Sequence, residues 1–156
     1  GISLIETCLL ILSSGYFSTL PGAITHETPD LIANEVFVLD TLTIYNPSRK
    51  QCDADPLVTA SNRRINLDEL QAGTIRWMAV SRDLLKRWGG HLHYGDTVEL
   101  YANDEGIDGL WIIQDTMNKR FKRRGDLLFD SQLRSNGMWT GVTITKRRSY
   151  VMAVNS

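Results

Sequence analysis

The chain has 156 residues, of which 42% are hydrophobic and 22% charged, values that are ordinary for a single soluble globular domain. Its 17 basic and 18 acidic side chains give a formal net charge of −1, which excludes a whole-protein field that attracts nucleic acid or anionic lipid. No run of about 18 apolar residues occurs, so the sequence predicts no transmembrane segment.

Cysteine and histidine are sparse. Cys8 and Cys52 are too few for a disulfide scaffold, and either one bridge in an oxidising compartment or two free thiols fits the sequence. His91 and His93 could share a strand face, but they have no clear third ligand. The sequence therefore predicts neither a metal site nor a cofactor.

The first 35 residues are predicted to be an N-terminal helix and a connecting segment. Apolar residues at 2, 4, 5, 9, 10, 11 and 12 favour an amphipathic helix over residues 2–17 that packs on the domain. The alternative is the apolar region of a signal peptide, although Glu6 interrupts it and no basic residues precede it. A chain beginning with Gly is consistent with an export signal that has been removed. Residues 18–35 are polar and contain two prolines, as in a connecting segment.

Residues 36–156 are predicted to form a domain of short strands. β-rich segments are expected near 36–39, 41–45, 57–60, 75–80, 97–101, 110–114, 126–129 and 139–145. A short helix is predicted over residues 82–88, with Ser81 as its N-cap and Gly89-Gly90 as its stop, and one helical turn over 130–135. Six or seven of these segments are counted as strands, and the absence of βαβ alternation favours a closed or nearly closed β-barrel.

Two aspartates lie at strand ends. Asp115 ends an apolar strand and Asp126 opens the next one. With a period of two, Asp115 should share a face with Trp111 and Ile113, and Asp126 with Leu128. Burial on an apolar face raises the pKa of a carboxyl, as a general acid near neutral pH requires. The alternative is that both aspartates cap turns at strand ends.

Three segments carry a family resemblance. They are Asp115-Thr with Gly125-Asp-Leu-Leu-Phe after a loop, Met78-Ala-Val-Ser-Arg-Asp-Leu-Leu-Lys-Arg-Trp-Gly followed by Tyr94-Gly-Asp-Thr-Val, and Tyr45-Asn-Pro with Cys52-Asp-Ala-Asp-Pro and Thr59-Ala-Ser. Together they resemble the three-aspartate (3D) domain, membrane-bound lytic transglycosylase A and the rare lipoprotein A group. The resemblance implies a six-stranded double-psi β-barrel, exported to the bacterial periplasm or cell envelope. It also implies cleavage of peptidoglycan glycan strands between N-acetylmuramic acid and N-acetylglucosamine.

The resemblance implies a role for each aspartate. Asp126 is expected to be the general acid and then the base, with Asp115 as its neighbour. The family's third aspartate falls on Ser81, so its role could pass to Asp83 or Asp55. Met117-Asn118 replaces the family's Gly-Gly. The expected substrate-binding residues are Tyr45, Thr59, Ser81, Thr116 and Asn118.

The basic loop at residues 119–124 leaves other functions open. It could contact nucleic acid, dock carboxylates of the peptidoglycan stem peptides, or be a solvated loop face. Since nearby cations lower the pKa of an acid, the loop should point away from Asp126. A non-catalytic barrel that binds glycan or an envelope partner is the second hypothesis, and a nucleic-acid-binding barrel, disfavoured by the net charge, is the third. Of the tryptophans Trp77, Trp88, Trp111 and Trp139, at most one is expected to line a sugar groove.

Overall fold

The computed structural model describes residues 34–48 and 55–147. The predicted helix over residues 2–17, most of the connecting segment and both cysteines lie outside these ranges. In the part that is described, no helix is both long enough and apolar enough to cross a membrane.

Six strands close into a barrel. In chain order they are β1 (Glu35–Tyr45), β2 (Trp77–Val80), β3 (Thr97–Tyr101), β4 (Gly109–Thr116), β5 (Arg124–Leu128) and β6 (Met138–Lys146). Around the barrel the order is β1-β5-β2-β4-β3-β6. The prediction of a mainly β chain with a closed barrel and few helices is confirmed.

The barrel mixes parallel and antiparallel pairs. Strands β1 and β5 are parallel, as are β2 and β4. The other four neighbouring pairs are antiparallel, and among them β2·β5 joins the two parallel pairs. The four strands β1, β5, β2 and β4 are therefore contiguous, and this side of the barrel positions the candidate site.

Alternation along the strands fills the barrel interior. In β3, Val98 and Leu100 are buried, whereas Thr97, Glu99 and Tyr101 are exposed. The interior also holds buried side chains from the other five strands, among them Leu39, Leu42, Met78, Val80, Trp111, Ile113, Leu127, Val142 and Ile144. The indole of Trp111 satisfies its one donor inside the core, since Nε1 donates to the carbonyl of Ile107 at 2.7 Å. Burial of these apolar side chains supplies the main driving force for folding.

One helix was not predicted from the sequence. Helix α1 (Leu67–Gln71) begins after Asn66, whose side chain accepts hydrogen bonds from the backbone N–H groups of Asp68 and Glu69. Asn66 followed three residues later by Glu69 is a helix-start pattern that could have revealed it. Leu70 of this helix is buried with Ile65, Ile75 and Leu128 in a second apolar cluster outside the barrel interior.

The predicted helix over residues 82–88 is wrong in form. Two 3-10 turns, Arg82–Leu84 and Lys86–Trp88, replace it. Leu85 separates them in an extended conformation, where it is buried and forms a β-bridge with Leu92. Burial of Leu85 in the core thus overrides the helical preference of the segment. The predicted stop is correct, because Gly89 takes a left-handed conformation with φ 92°.

Two smaller predictions also differ from the structure. Segments 36–39 and 41–45 form one continuous strand, β1, in which exposed Asp40 pairs with Arg123 at 2.9 Å. Residues 57–60 contribute only a single bridge, between Val58 and Arg64. Around residue 130 the chain makes one turn, with the Arg134 N–H donating to the carbonyl of Asp130 at 3.0 Å.

Candidate active site

An open groove of about 890 Å³ lies on the outer surface of the barrel. Its floor includes Ala79, Asp115 and Asp126 from three adjacent strands. The other lining residues come from segments 55–60 and 116–121, together with Tyr45 and Arg82. The groove therefore brings the two principal sequence-predicted aspartates into one site.

Strand register places both aspartates in one row. Thr43 is the cross-strand neighbour of Asp126, Asp126 of Ala79, and Ala79 of Asp115. Cross-strand neighbours project from the same face of a sheet. Ala79 therefore separates the two carboxylates, and its methyl group leaves open space between them.

A register shift in β4 determines where Asp115 points. Met78 pairs with Ile113, but the next residue of β2, Ala79, pairs with Asp115, so Gln114 is an extra residue on β4. Such bulges change the direction of the side chains that follow. The prediction that Asp115 shares a face with Trp111 and Ile113 is therefore wrong, because those two side chains enter the core.

The prediction that Asp126 shares a face with Leu128 is correct. Leu127, next to it, enters the barrel core, whereas Leu128 belongs to the apolar cluster outside the barrel. Because side chains alternate along a strand, Asp126 and Leu128 share the outer face.

The pKa of Asp126 is raised from 3.8 to about 6. Burial is the main cause, since it disfavours the charged form, and the nearby charge of Asp115 adds to the effect. A hydrogen bond from the Thr43 hydroxyl to Oδ1 at 2.7 Å and the positive charge of Arg124 act in the opposite direction. Burial prevails, so Asp126 can hold and release a proton close to neutral pH.

Asp115 is held by three hydrogen-bond donors. Its Oδ1 accepts from the backbone N–H groups of Ala60 and Thr116, each at 2.9 Å, and its Oδ2 accepts from the Tyr45 hydroxyl at 3.3 Å. Burial nevertheless raises its pKa, because desolvation outweighs the three donors. The carboxylate is thus fixed in position beside Asp126.

The remaining predicted residues are divided between the groove and its surroundings. Tyr45, Thr59, Thr116, Asn118 and Asp55 line the groove. Asp55 accepts a hydrogen bond from the Leu57 N–H at 3.0 Å and lies 3.7 Å from a guanidinium nitrogen of Arg64. Of the two candidates for the third aspartate, Asp55 is the one that reaches the groove.

Ser81 and Asp83 do not line the groove, so these two assignments need correction. Ser81 is fully buried, and its Oγ accepts from the Arg124 N–H at 3.0 Å. Both carboxylate oxygens of Asp83 accept from the Arg123 N–H, at 3.3 and 3.0 Å. Each side chain holds the backbone at the start of β5. Ser81 has no exposed surface, and Asp83 lies outside the groove lining.

Several residues of the site were not predicted from the sequence. Thr43 is in a strand whose alternation is evident, but only the pairing of β1 with β5 brings it to Asp126. Arg82, Arg120 and Phe121 line the groove. The expectation that the whole basic loop points away from the site is therefore wrong for Arg120. None of the four tryptophans lines the groove, and Trp111 is part of the core.

Neither similarity to known proteins nor a cluster of metal ligands adds an assignment to this site. No known protein-family model matches the sequence, and no curated protein matches it either. Among residues 34–48 and 55–147, no three side chains of His, Cys, Asp or Glu are grouped so that they could hold a metal ion. His91 and His93 have different neighbours, since His91 Nδ1 lies 3.1 Å from Glu35 and His93 Nδ1 lies 3.8 Å from Asp96.

Proposed function

We propose that the chain is a peptidoglycan lytic transglycosylase that uses Asp126 as its general acid and base. One observation carries the proposal: a carboxyl with its pKa raised to about 6 lies beside a second, firmly held carboxyl in an open groove. An open groove of about 890 Å³ can admit part of a polymeric substrate such as a glycan strand. The resemblance to the three-aspartate domain supplies the identity of the bond that is cleaved.

The same proposal covers the fold and the cellular location. Two parallel strand pairs joined through the antiparallel β2·β5 pair support a double-psi topology. We further propose that the protein acts in the bacterial periplasm or cell envelope, where peptidoglycan is found.

The proposed reaction needs a single proton-carrying group. Protonated Asp126 donates its proton to the glycosidic oxygen, and the bond from C1 of N-acetylmuramic acid to that oxygen breaks. The C6 hydroxyl of the same sugar then attacks C1 and gives its proton to the Asp126 carboxylate. The products are a 1,6-anhydro end and a free hydroxyl on N-acetylglucosamine, and Asp126 returns to its protonated form.

Asp115 has a supporting role in this mechanism. A negative charge beside Asp126 favours the protonated form of Asp126 before the reaction. The same charge stabilises the oxocarbenium-like transition state. Two backbone N–H groups and Tyr45 hold Asp115 in place. Little reorganisation of its carboxylate is therefore needed when positive charge develops on the sugar.

The second candidate function is a non-catalytic module that binds glycan. It is favoured by Ser81, which stands where the family has an aspartate and is buried away from the groove. It is also favoured by Met117-Asn118, which replaces the Gly-Gly of the family beside Asp115.

Incubation with purified peptidoglycan separates the two functions. The soluble products are separated and their ends identified by mass spectrometry, while the insoluble fraction is assayed for bound protein. New 1,6-anhydro ends support the transglycosylase. Reducing ends would indicate hydrolysis by a water-activating base, and retention of the protein without cleavage would indicate the binding module.

A further inference from the structure

We propose that Arg82 and Arg120 bind a carboxylate carried by the C3 substituent of N-acetylmuramic acid. This inference rests on the proposed function, because it assigns part of the substrate to part of the same groove. The C3 lactyl ether of this sugar ends in a carboxyl group that is either free or linked to a stem peptide. The peptide in turn carries carboxylates of its own.

The two arginines reach the groove from different parts of the chain. Arg82 lies two residues beyond the end of β2, and Arg120 belongs to the loop between β4 and β5. Both arginines line the same groove as Asp115 and Asp126, so the groove presents positive as well as acidic side chains.

Neither guanidinium has an acidic partner in the described part of the chain. The ion pairs there engage Arg64, Arg123, Arg134, Lys146, Arg147 and two histidines. The Nε atom of Arg82 is also buried without a hydrogen-bond partner there. Both guanidinium groups therefore line the groove without a carboxylate partner. Each provides paired N–H donors that match the two oxygens of a carboxylate.

Aromatic rings support both side chains. The guanidinium of Arg120 lies 4.6 Å from the centre of the Phe121 ring, and Arg124 lies 4.5 Å from the same ring. Arg82 lies 5.0 Å from the centre of the Trp88 ring. Stacking on an aromatic face restricts a guanidinium and leaves its N–H edge available for a ligand.

The backbone of Arg82 lies close to the row of residues that holds the two aspartates. Arg82 is three residues beyond Ala79, which separates the two aspartates, so the backbone positions are at most about 10 Å apart at ~3.3 Å per residue. The bond to be cleaved is at C1 of the muramic acid, and the lactyl group is on C3 of the same ring. In the proposed binding mode, a sugar with C1 over Asp126 directs its carboxylate away from the acidic floor and towards the arginines.

Binding measurements with three soluble ligands of equal length test the inference. The first is a chitooligosaccharide without carboxylates, the second is a peptidoglycan oligomer with free lactyl groups, and the third keeps its stem peptides. Affinities are measured for the full chain carrying Asp126→Asn, alone and combined with Arg82→Gln or Arg120→Gln. Lys122→Gln is the matched control, because it removes a cation from the same loop outside the groove lining. Circular dichroism checks that each variant is folded.

The ligands with carboxylates should bind more tightly than the chitooligosaccharide. Each arginine substitution should weaken their binding about tenfold, the scale of one charged hydrogen-bonding contact. It should not change chitooligosaccharide binding, and Lys122→Gln should change none of the three. A preference already present with free lactyl groups assigns the site to the lactyl carboxylate, whereas one seen only with stem peptides assigns it to the peptide.

Equal affinity for the three ligands, or equal losses for charged and uncharged ligands, would overturn the inference. Tighter binding of an oligonucleotide than of any glycan would overturn it too, because the guanidinium groups would then belong to a phosphate site. A different result would contradict the proposed function alone. If the protein prefers the ligands with carboxylates but releases no anhydro ends from peptidoglycan, the arginine site is supported and the transglycosylase assignment is contradicted.

Discussion

The hydroxyl of Thr43 donates a hydrogen bond to Oδ1 of Asp126 at 2.7 Å, across the parallel pair of β1 and β5. This bond favours the ionised carboxyl and so lowers the pKa of Asp126, against the larger effect of burial. Thr43 is therefore a positioning and tuning residue for the proposed general acid.

Thr43→Val should move the pH dependence of the reaction upwards. Since the first step needs protonated Asp126, we expect kcat/KM of the unmodified protein to fall as pH rises above about 6. Loss of the hydroxyl should move this fall by about 0.5–1 pH unit to higher pH, the scale of one hydrogen bond. The measurement is the rate of anhydro-end release from pH 4 to pH 9. Thr41→Val, on the same strand, is the control, and an unmoved or downward-moved profile for Thr43→Val would contradict the assignment.

Asp126→Asn should change how stability depends on pH. The pKa of Asp126 in the folded protein, about 6, lies above its ordinary value of 3.8. The folded state therefore binds the proton more tightly, and the free energy of unfolding decreases as pH rises from about 4 through 6. Asn removes this loss, so the variant should be more stable than the unmodified protein at pH 7.5, by at most about 3 kcal/mol, and closer to it at pH 4.

Urea unfolding at pH 4 and pH 7.5 measures this difference. Glu105→Gln is a suitable control, because Glu105 is exposed and lies outside the groove lining. If the difference between Asp126→Asn and the unmodified protein were the same at both pH values, the raised pKa of Asp126 would be contradicted.

Ser81→Ala should affect stability and not substrate affinity. Ser81 is fully buried, and its Oγ accepts a hydrogen bond from the Arg124 N–H. Removing this acceptor should lower the free energy of unfolding by about 1–3 kcal/mol. Denaturant unfolding measures the loss, and KM measured below the unfolding transition should stay unchanged. A raised KM at unchanged stability would return Ser81 to the substrate-binding set.

Local patterns predicted much of the barrel. The bounds of β3 agree with the alternation of its sequence, and Gly89 ends its segment as expected. These features depend on neighbouring residues, which is why a single sequence reveals them. The conformation of Leu85 does not depend on neighbouring residues alone. Its bridge with Leu92 and its burial in the core override the helical pattern around it.

The candidate site was predicted only in part, because its assembly depends on contacts between residues that are distant in the sequence. Asp115 and Asp126 stand out at strand ends, but their convergence depends on β2 lying between β4 and β5. The extra residue Gln114, which turns Asp115 out of the core, has no sequence signal that we recognise. Non-local pairing also brings Thr43 to Asp126, and loop conformation brings Arg120 to the groove.

One measurement tests the central claim most directly: the rate at which 1,6-anhydro-muropeptides are released from purified peptidoglycan. It is made for the unmodified protein, for Asp126→Asn and for Asp115→Asn. Asn keeps the size of the side chain but cannot deliver a proton at neutral pH. Asp126→Asn should therefore lose about 10²–10⁴-fold in rate while still binding glycan. Asp115→Asn should reduce the rate less, because Asp115 transfers no proton itself. It favours the protonated form of Asp126 and stabilises the transition state. Full activity of Asp126→Asn, or no anhydro products from the unmodified protein, would contradict the account.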